Sequence, residues 1–287
     1  MYRQGVDFVE VSRSGGGEGR QLDVAATATN IAAYAMRATE AIEVVTMSVE
    51  PRPQYIRSYS ASDVSMSALM KNYAEEHPGV YGVSLIELSG QRRRASYEET
   101  RQFATASTYK LFVAYSVLRR VETGELQWNE QISGGRTLTK CFDDMIVLSD
   151  NPCAEALVKR IGYRPLTAEA TALGATRTTF VDAESYKTTA GDLSLFLAQL
   201  ETGQLPITSE HRTRLIDAMK RNVYRRGIPA GATGVVADKV GFLGSVLHDG
   251  AIVYAPSGTY VLSVMTDGSS WGNIAELTRE IEELRTR

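Results

Sequence analysis

Three short groups of residues in this 287-residue chain could do chemistry together. Ser107 and Lys110 stand three positions apart at the head of an apolar run that includes Leu111, Phe112, Val113 and Ala114. On a helix, positions i and i+3 share a face, so Lys110 can reach the Ser107 hydroxyl. A serine hydroxyl is a poor nucleophile at neutral pH and needs such a neighbouring base. Burial by the apolar run lowers the pKa of a lysine and frees its lone pair. The positive end of the helix dipole at Ser107 favours negative charge developing there. The second group is Ser149-Asp150-Asn151, just before a helix, and the third is Lys239-Val240-Gly241, at the end of a strand. Each alone has a plain structural use: a first-turn serine, a polar capping turn, a lysine guarding a sheet edge. In this order and context they point to a nucleophilic serine.

These groups need elements to hold them. Apolar spacing predicts helices over residues 65–77, 107–121, 152–161, 190–200 and 272–287. Strands are expected over residues 80–88, 92–97, 235–241, 250–254 and 260–266. Strands come first and last with helices between them. That order suits an α+β arrangement: an antiparallel sheet built where the two chain ends meet, plus a helical subdomain. Residues 1–58 form a separate segment that reads as strand, helix (residues 22–38) and strand (residues 42–49), followed by a linker over residues 54–63.

Composition narrows the function classes. Hydrophobic residues make up 43% and the net charge is −3, an ordinary globular balance that argues against charge-driven binding to nucleic acid or a membrane surface. His77, His211 and His248 are scattered and no Cys-x-x-Cys occurs, so neither a metal nor any other cofactor is expected. Cys141 and Cys153 could bridge or stay reduced as small buried residues, and the reduced state is the expectation.

The Ser-x-x-Lys, Ser-Asp-Asn and Lys-x-Gly set resembles that of class A β-lactamases and penicillin-binding serine hydrolases. The likeness extends over residues 103–118, 149–162, 188–200 with Gly203, 228–231 and 248–265, about residues 60–287 in all. It implies a five-stranded antiparallel sheet flanked by helices, with an all-helical subdomain and the site between them. The division implied is residues 1–58 and 59–287. Carried over, Ser107 is the acylated nucleophile and Lys110 its base. Ser149 relays a proton to the leaving nitrogen, and Asn151 binds the substrate's amide. Lys239 keeps the site positive beside Gly241. The backbone N–H groups of Ser107 and Phe242 form the oxyanion hole. Arg225 or Arg226 assists with the substrate carboxylate.

Two departures from that family bear on activity. Its third motif carries Thr or Ser where this chain has Val240, and losing one hydrogen bond to a charged group costs about 1.5–3 kcal/mol of binding. Its deacylating glutamate sits on an ω loop that here looks shortened, leaving Glu184 as the carboxylate at the matching offset. The expected activity is opening of β-lactam rings through an acyl-enzyme, with slow deacylation. A D-alanyl-D-alanine peptidase or transpeptidase acting on peptidoglycan stem peptides is the nearest alternative, and a non-catalytic cell-wall binding or sensor module the more distant one. Residues 19–23, an Ala-rich helix and residues 44–51 resemble part of a small peptidoglycan-binding domain. That likeness implies action outside the cytoplasm at the cell wall, with the export segment or membrane anchor lying outside this sequence; the protein is expected to be a monomer.

Overall fold

The computed structural model describes residues 2–4, 7–9, 42–46, 57–59, 61–182 and 185–286. Near the start of the chain, β1 (Tyr2–Gln4), β2 (Asp7–Val9), β3 (Ile42–Thr46) and β4 (Arg57–Tyr59) pair antiparallel in the order β2-β1-β3-β4. The strand expected over residues 42–49 is present over Ile42–Thr46, and residues 47–49 lie outside the described residues. Part of the expected linker is strand instead, because Tyr59 and Ser58 pair with Val44 and Val45. The helix expected over residues 22–38 lies outside the described residues.

Helix α1 (Ala61–Glu76) leads into β5 (Val80–Glu87) and β6 (Arg94–Tyr97). A short strand, β7 (Phe103–Ala104), enters a 3-10 turn at Ala106–Tyr109, which runs on into α2 (Lys110–Glu122). The helical lobe follows: β8 (Gln131–Ser133) and β9 (Arg136–Thr137), then α3 (Leu138–Val147), α4 (Asn151–Ile161) and α5 (Tyr163–Ala172). Next come β10 (Thr179–Phe180), β11 (Tyr186–Thr188), α6 (Ala190–Thr202), α7 (Ser209–Lys220) and the short α8 (Ile228–Gly231). The chain returns to the sheet with β12 (Val235–Leu243), β13 (Val246–Ala255) and β14 (Gly258–Asp267), then packs α9 (Trp271–Arg285) against it.

The main sheet runs β12-β13-β14-β5-β6, antiparallel throughout. β14 pairs with β5, so the two ends of the domain meet in mid-sheet, as strand order in the sequence suggested. Each face covers its own core. One buries Val83, Leu85, Leu262 and Val264 under α1 and α9, through Met66, Met70, Ile274 and Ile281. The other buries Ile86, Ala237, Ile252 and Val261 beneath α2 and α6, through Leu118, Leu193 and Leu197. Burying apolar area of this kind stabilises the fold by about 25 cal/mol per Å².

β13 begins four residues before the strand expected at 250–254. His248 and Asp249 interrupt the apolar pattern in sequence, yet both side chains are fully buried. The reduced-cysteine expectation is corrected. α3 and α4 pack side by side, which brings the Cα atoms of Cys141 and Cys153 to 5.1 Å, within bridging range, and the two form a disulfide.

Candidate active site

Ser107 is held from three sides. β7 pairs with β11, Ala104 opposite Lys187 and Phe103 opposite Thr188. Beneath it, His248 on β13 accepts from the Thr266 backbone N–H through Nδ1 at 3.1 Å. A backbone N–H can only donate, so Nε2 carries the proton and donates to the Ala104 carbonyl at 2.8 Å. Phe103 lies edge-on to the same ring. Burial pushes the His248 pKa down to about 4, so the ring is neutral at ordinary pH.

The backbone then bends sharply. Ala106 has φ +43°, a left-handed value costing about 1–2 kcal/mol in a residue with a side chain. Thr108 closes the turn, its hydroxyl donating to the Thr105 carbonyl at 2.7 Å. The third side is β12, the edge strand of the main sheet. A Cβ at Gly241 would lie 2.9 Å from both Ser107 N and Thr105 O. Only glycine lets strand and turn backbones approach this closely. Ser107 therefore sits in a 3-10 turn rather than in the helix expected from residue 107, and the α-helix proper begins at Lys110.

Two buried lysines converge on the second motif. Lys110 Nζ donates to the Ser149 carbonyl at 2.6 Å, to Asn151 Oδ1 at 2.6 Å and to Ser149 Oγ at 3.2 Å. Its bonds thus go to Ser149 and Asn151; none joins it to the Ser107 hydroxyl. Lys239 Nζ donates to the same Ser149 Oγ at 2.9 Å and to the Val240 carbonyl at 2.9 Å. Burial lowers the Lys110 pKa to about 8, against an upward pull from Asp150 and Glu155. Burial, then the Lys110 charge, lowers Lys239 to about 7. Ser149 is itself left-handed, φ +58°, and the three motifs thereby meet at one hydroxyl.

Neighbouring groups brace this meeting point. Asp150 caps α4 through the Cys153 N–H at 2.8 Å and pairs with Arg136 at 3.0 Å. Burial opposes its charge, but these partners hold the carboxyl below its usual pKa. The disulfide ties α3 to α4 on either side of the Ser149 loop. Arg225 bonds Asp238 and the Val236 carbonyl, so it is committed beneath β12 rather than free for a substrate carboxylate. Arg226 is exposed.

Phe242 is partly exposed at the edge of β12, with its ring against Tyr224 and Trp271. Glu184 lies outside the described residues. The strands on either side of it pair directly, Phe180 with Tyr186, so residues 181–185 are the whole connection between β10 and β11. Sequence reasoning missed His248 and Arg136. His248 showed only as one of three scattered histidines; the capping Asp150 and Arg136 had no local spacing to link them.

A serine at a strained turn, two cations of lowered pKa and a five-stranded antiparallel sheet with a helical lobe define a serine hydrolase of the β-lactamase/transpeptidase fold. Residues 65–284 match the model of the Beta-lactamase enzyme family, and the chain belongs to that family. Among solved structures, it is similar to an ancestral class A β-lactamase, reconstructed for the last common ancestor of Gram-negative bacteria: TM-score 0.70, 23% identity, covering 76% of this chain and 99% of that one. A β-lactamase from Xanthomonas campestris gives TM-score 0.70 at 23% identity, covering 78% of this chain and 98% of that one. PBP-A gives TM-score 0.70 at 20% identity, covering 76% and 93%. At these identities the solved structures speak to the fold alone. No curated protein matches.

Proposed function

We propose that this chain opens β-lactam rings through an acyl-enzyme on Ser107. The observation that carries this reading is the convergence of Lys110 and Lys239 on Ser149 Oγ, beside the turn that presents Ser107. With its pKa near 8, Lys110 is a neutral base in part of the population at neutral pH. It takes the Ser107 proton as Oγ adds to the lactam carbonyl. The oxyanion is held by the N–H groups of Ser107 and Phe242. Ser149 Oγ accepts from both lysines, which leaves its own proton for the leaving nitrogen. Lys110 restores that proton through the 3.2 Å contact, so none is gained or lost. Asn151 and Lys239 bind the substrate's amide and carboxylate, and Gly241 keeps β12 close enough to do so.

A second reading, a D,D-peptidase acting on peptidoglycan stem peptides, draws support from the short residue 181–185 connection and from the likeness to PBP-A. A PBP-A variant has been solved as an acyl-enzyme complex with penicillin G. The two readings share acylation and differ in how long the acyl-enzyme lasts. The bridged cysteines favour an oxidising compartment, in keeping with action at the cell wall. Residues 59–287 are the catalytic domain in this reading, and residues 1–58 attach it to the wall polymer.

Intact-mass spectrometry after mixing with benzylpenicillin tests the assignment. The wild type gains the mass of the intact antibiotic and Ser107→Ala gains nothing. Labelling that survives the substitution overturns the assignment.

A further inference from the structure

An aspartate stands between the two residues that Lys110 holds, and its carboxylate is turned to another cation. Lys110 Nζ reaches Ser149 on one side of Asp150 and Asn151 on the other. Asp150 Oδ2 pairs with Arg136 Nη1 at 3.0 Å. Its Oδ1 accepts from Arg136 Nη2 at 3.2 Å and from the Cys153 N–H at 2.8 Å. We propose that Arg136 is a positioning residue for acylation: by holding the Asp150 carboxylate it withholds a counter-ion from Lys110 and keeps Ser149 seated between the two lysines. This rests on the acylation reading above.

The guanidinium is placed for this task by both ends of the loop. Arg136 lies on β9, one residue before Thr137, which caps α3 through the Lys140 N–H at 3.4 Å. Arg136 Nη1 also donates to Asp144 Oδ2 near the end of α3, at 3.1 Å. The Asp144 carbonyl in turn accepts from the Leu148 and Asp150 N–H groups, both at 3.0 Å. One side chain thus ties the last turn of α3 to the cap of α4, and Ser149 lies between the two ties. A serine keeps its left-handed backbone only where the surroundings over-determine it. The planar fork of an arginine can bridge two carboxylates in fixed geometry, as a lysine cannot.

The consequence falls on Lys110. Asp150 and Glu155 favour its ammonium form, Lys239 shares the Ser149 hydroxyl with it, and the Tyr109 ring lies 5.8 Å from Nζ. A base must be neutral to take the Ser107 proton. A carboxylate let go by Arg136 would press its charge on Lys110 and hold the proton there to higher pH.

NMR of ε-labelled lysine reads the Lys110 titration directly, its signal assigned by its loss in Lys110→Met. Stopped-flow mixing with benzylpenicillin reads acylation. In Arg136→Gln the Lys110 midpoint rises by about one pH unit, and acylation at pH 7 slows about tenfold with it. In the double variant Arg136→Gln/Asp150→Asn the midpoint returns to the wild-type value or below, whereas two unrelated structural losses would add. Lys140→Gln loosens Asp144 without touching Asp150 and leaves the midpoint in place. Arg136→Lys keeps a cation without the fork, so its midpoint lies between those of wild type and Arg136→Gln. An unmoved midpoint in Arg136→Gln overturns the proposal whatever happens to the rate. So does a midpoint that stays high in the double variant, or an equal rise in Lys140→Gln. If the glutamine variant does not fold, an Arg136→Lys midpoint at or below the wild-type value overturns it. A wild type that forms no adduct is the distinct failure: it overturns the acylation reading, while the midpoints still report whether Arg136 acts on Lys110.

Discussion

Two of the places where this domain buries charge answer it in opposite ways. At the β5–β6 end, Glu87 accepts from Arg93 Nε at 2.9 Å, Arg93 Nη2 at 2.8 Å and Arg285 Nε at 2.7 Å. Arg93 also donates to the Arg285 carbonyl, and Arg285 lies over the Tyr260 ring, whose hydroxyl donates to Glu282. Opposite charges meet there and fasten α9 to the β5–β6 hairpin. At the candidate site, two buried cations meet a neutral hydroxyl. Among the described residues no carboxylate is in direct contact with either lysine, so their burial costs stability and leaves both easy to deprotonate. The first arrangement holds the domain together; the second keeps two lysines that lose their protons near neutral pH.

Exchanging the charges for apolar groups gives the sharpest test of this contrast. Lys110→Met removes the proposed base, and acylation by benzylpenicillin should fall about 10²–10⁴-fold. The thermal midpoint should stay level or rise, because a buried cation has gone. Arg285→Met should do the reverse. It leaves Glu87 short of a partner, costs about 3 kcal/mol of stability, and leaves acylation near the wild-type rate. The measurements are stopped-flow acylation and calorimetry on both variants. A Lys110→Met protein less stable than Arg285→Met would show that the candidate-site lysine is a structural ion and break the comparison.

pH separates the two regions more gently. The folded-state pKa values of Lys110 and Lys239 lie below those of an unfolded lysine, about 8 and 7 against 10.5. Between these limits the unfolded chain binds more protons, so stability rises with pH across about pH 7 to 10.5. Glu87 is held below its usual value: burial opposes its charge but the arginines overcome it. Its contribution is complete above the unfolded value of about 4.5 and is lost as pH falls through the lower folded one. His248 adds a middle window, since its contribution is present above pH 6.5 and lost as pH falls towards 4. Denaturant titrations across pH should show the alkaline rise in wild type and a shallower one in Lys110→Met. An equal rise in both would remove Lys110 from the explanation.

Much of the site was legible in sequence because its signals are local. Ser107 and Lys110 share a face by spacing, and Ser149-Asp150-Asn151 announces itself as a turn that caps a helix. Strand order alone indicated that the first and last strands of the domain would share one antiparallel sheet. What sequence did not show depends on register or packing between distant segments. His248 reaches Ala104 across 144 positions, and the disulfide follows from how α3 lies on α4. α3, α5 and α7 were not anticipated. The buried Leu138, Cys141, Phe142 and Met145 do carry a helical period in α3, whereas the charged surface of α7 hides Leu215 and Met219. Arg225 or Arg226 is expected from sequence to assist with the substrate carboxylate, because nothing local ties Arg225 to Asp238.

The smallest expected effect concerns Val240, and register changes its meaning. From sequence, a hydroxyl at this position would bind the substrate carboxylate. In the structure Val240 is fully buried and stands directly across from Asp249 on β13. Cross-strand partners point to the same face with Cβ atoms about 5 Å apart. Asp249 accepts from the Ile228 N–H through Oδ2, but its buried Oδ1 has no hydrogen-bond partner among the described residues. Burial also raises the Asp249 pKa, the mark of a carboxyl short of donors. Val240→Thr places a donor on that face at nearly constant volume. Satisfying a buried acceptor is worth about 1 kcal/mol, so the thermal midpoint should rise while acylation stays within about threefold of wild type. A tenfold faster acylation at unchanged stability would mean that the hydroxyl faces the candidate site, and that the third motif lacks a substrate contact which one atom restores.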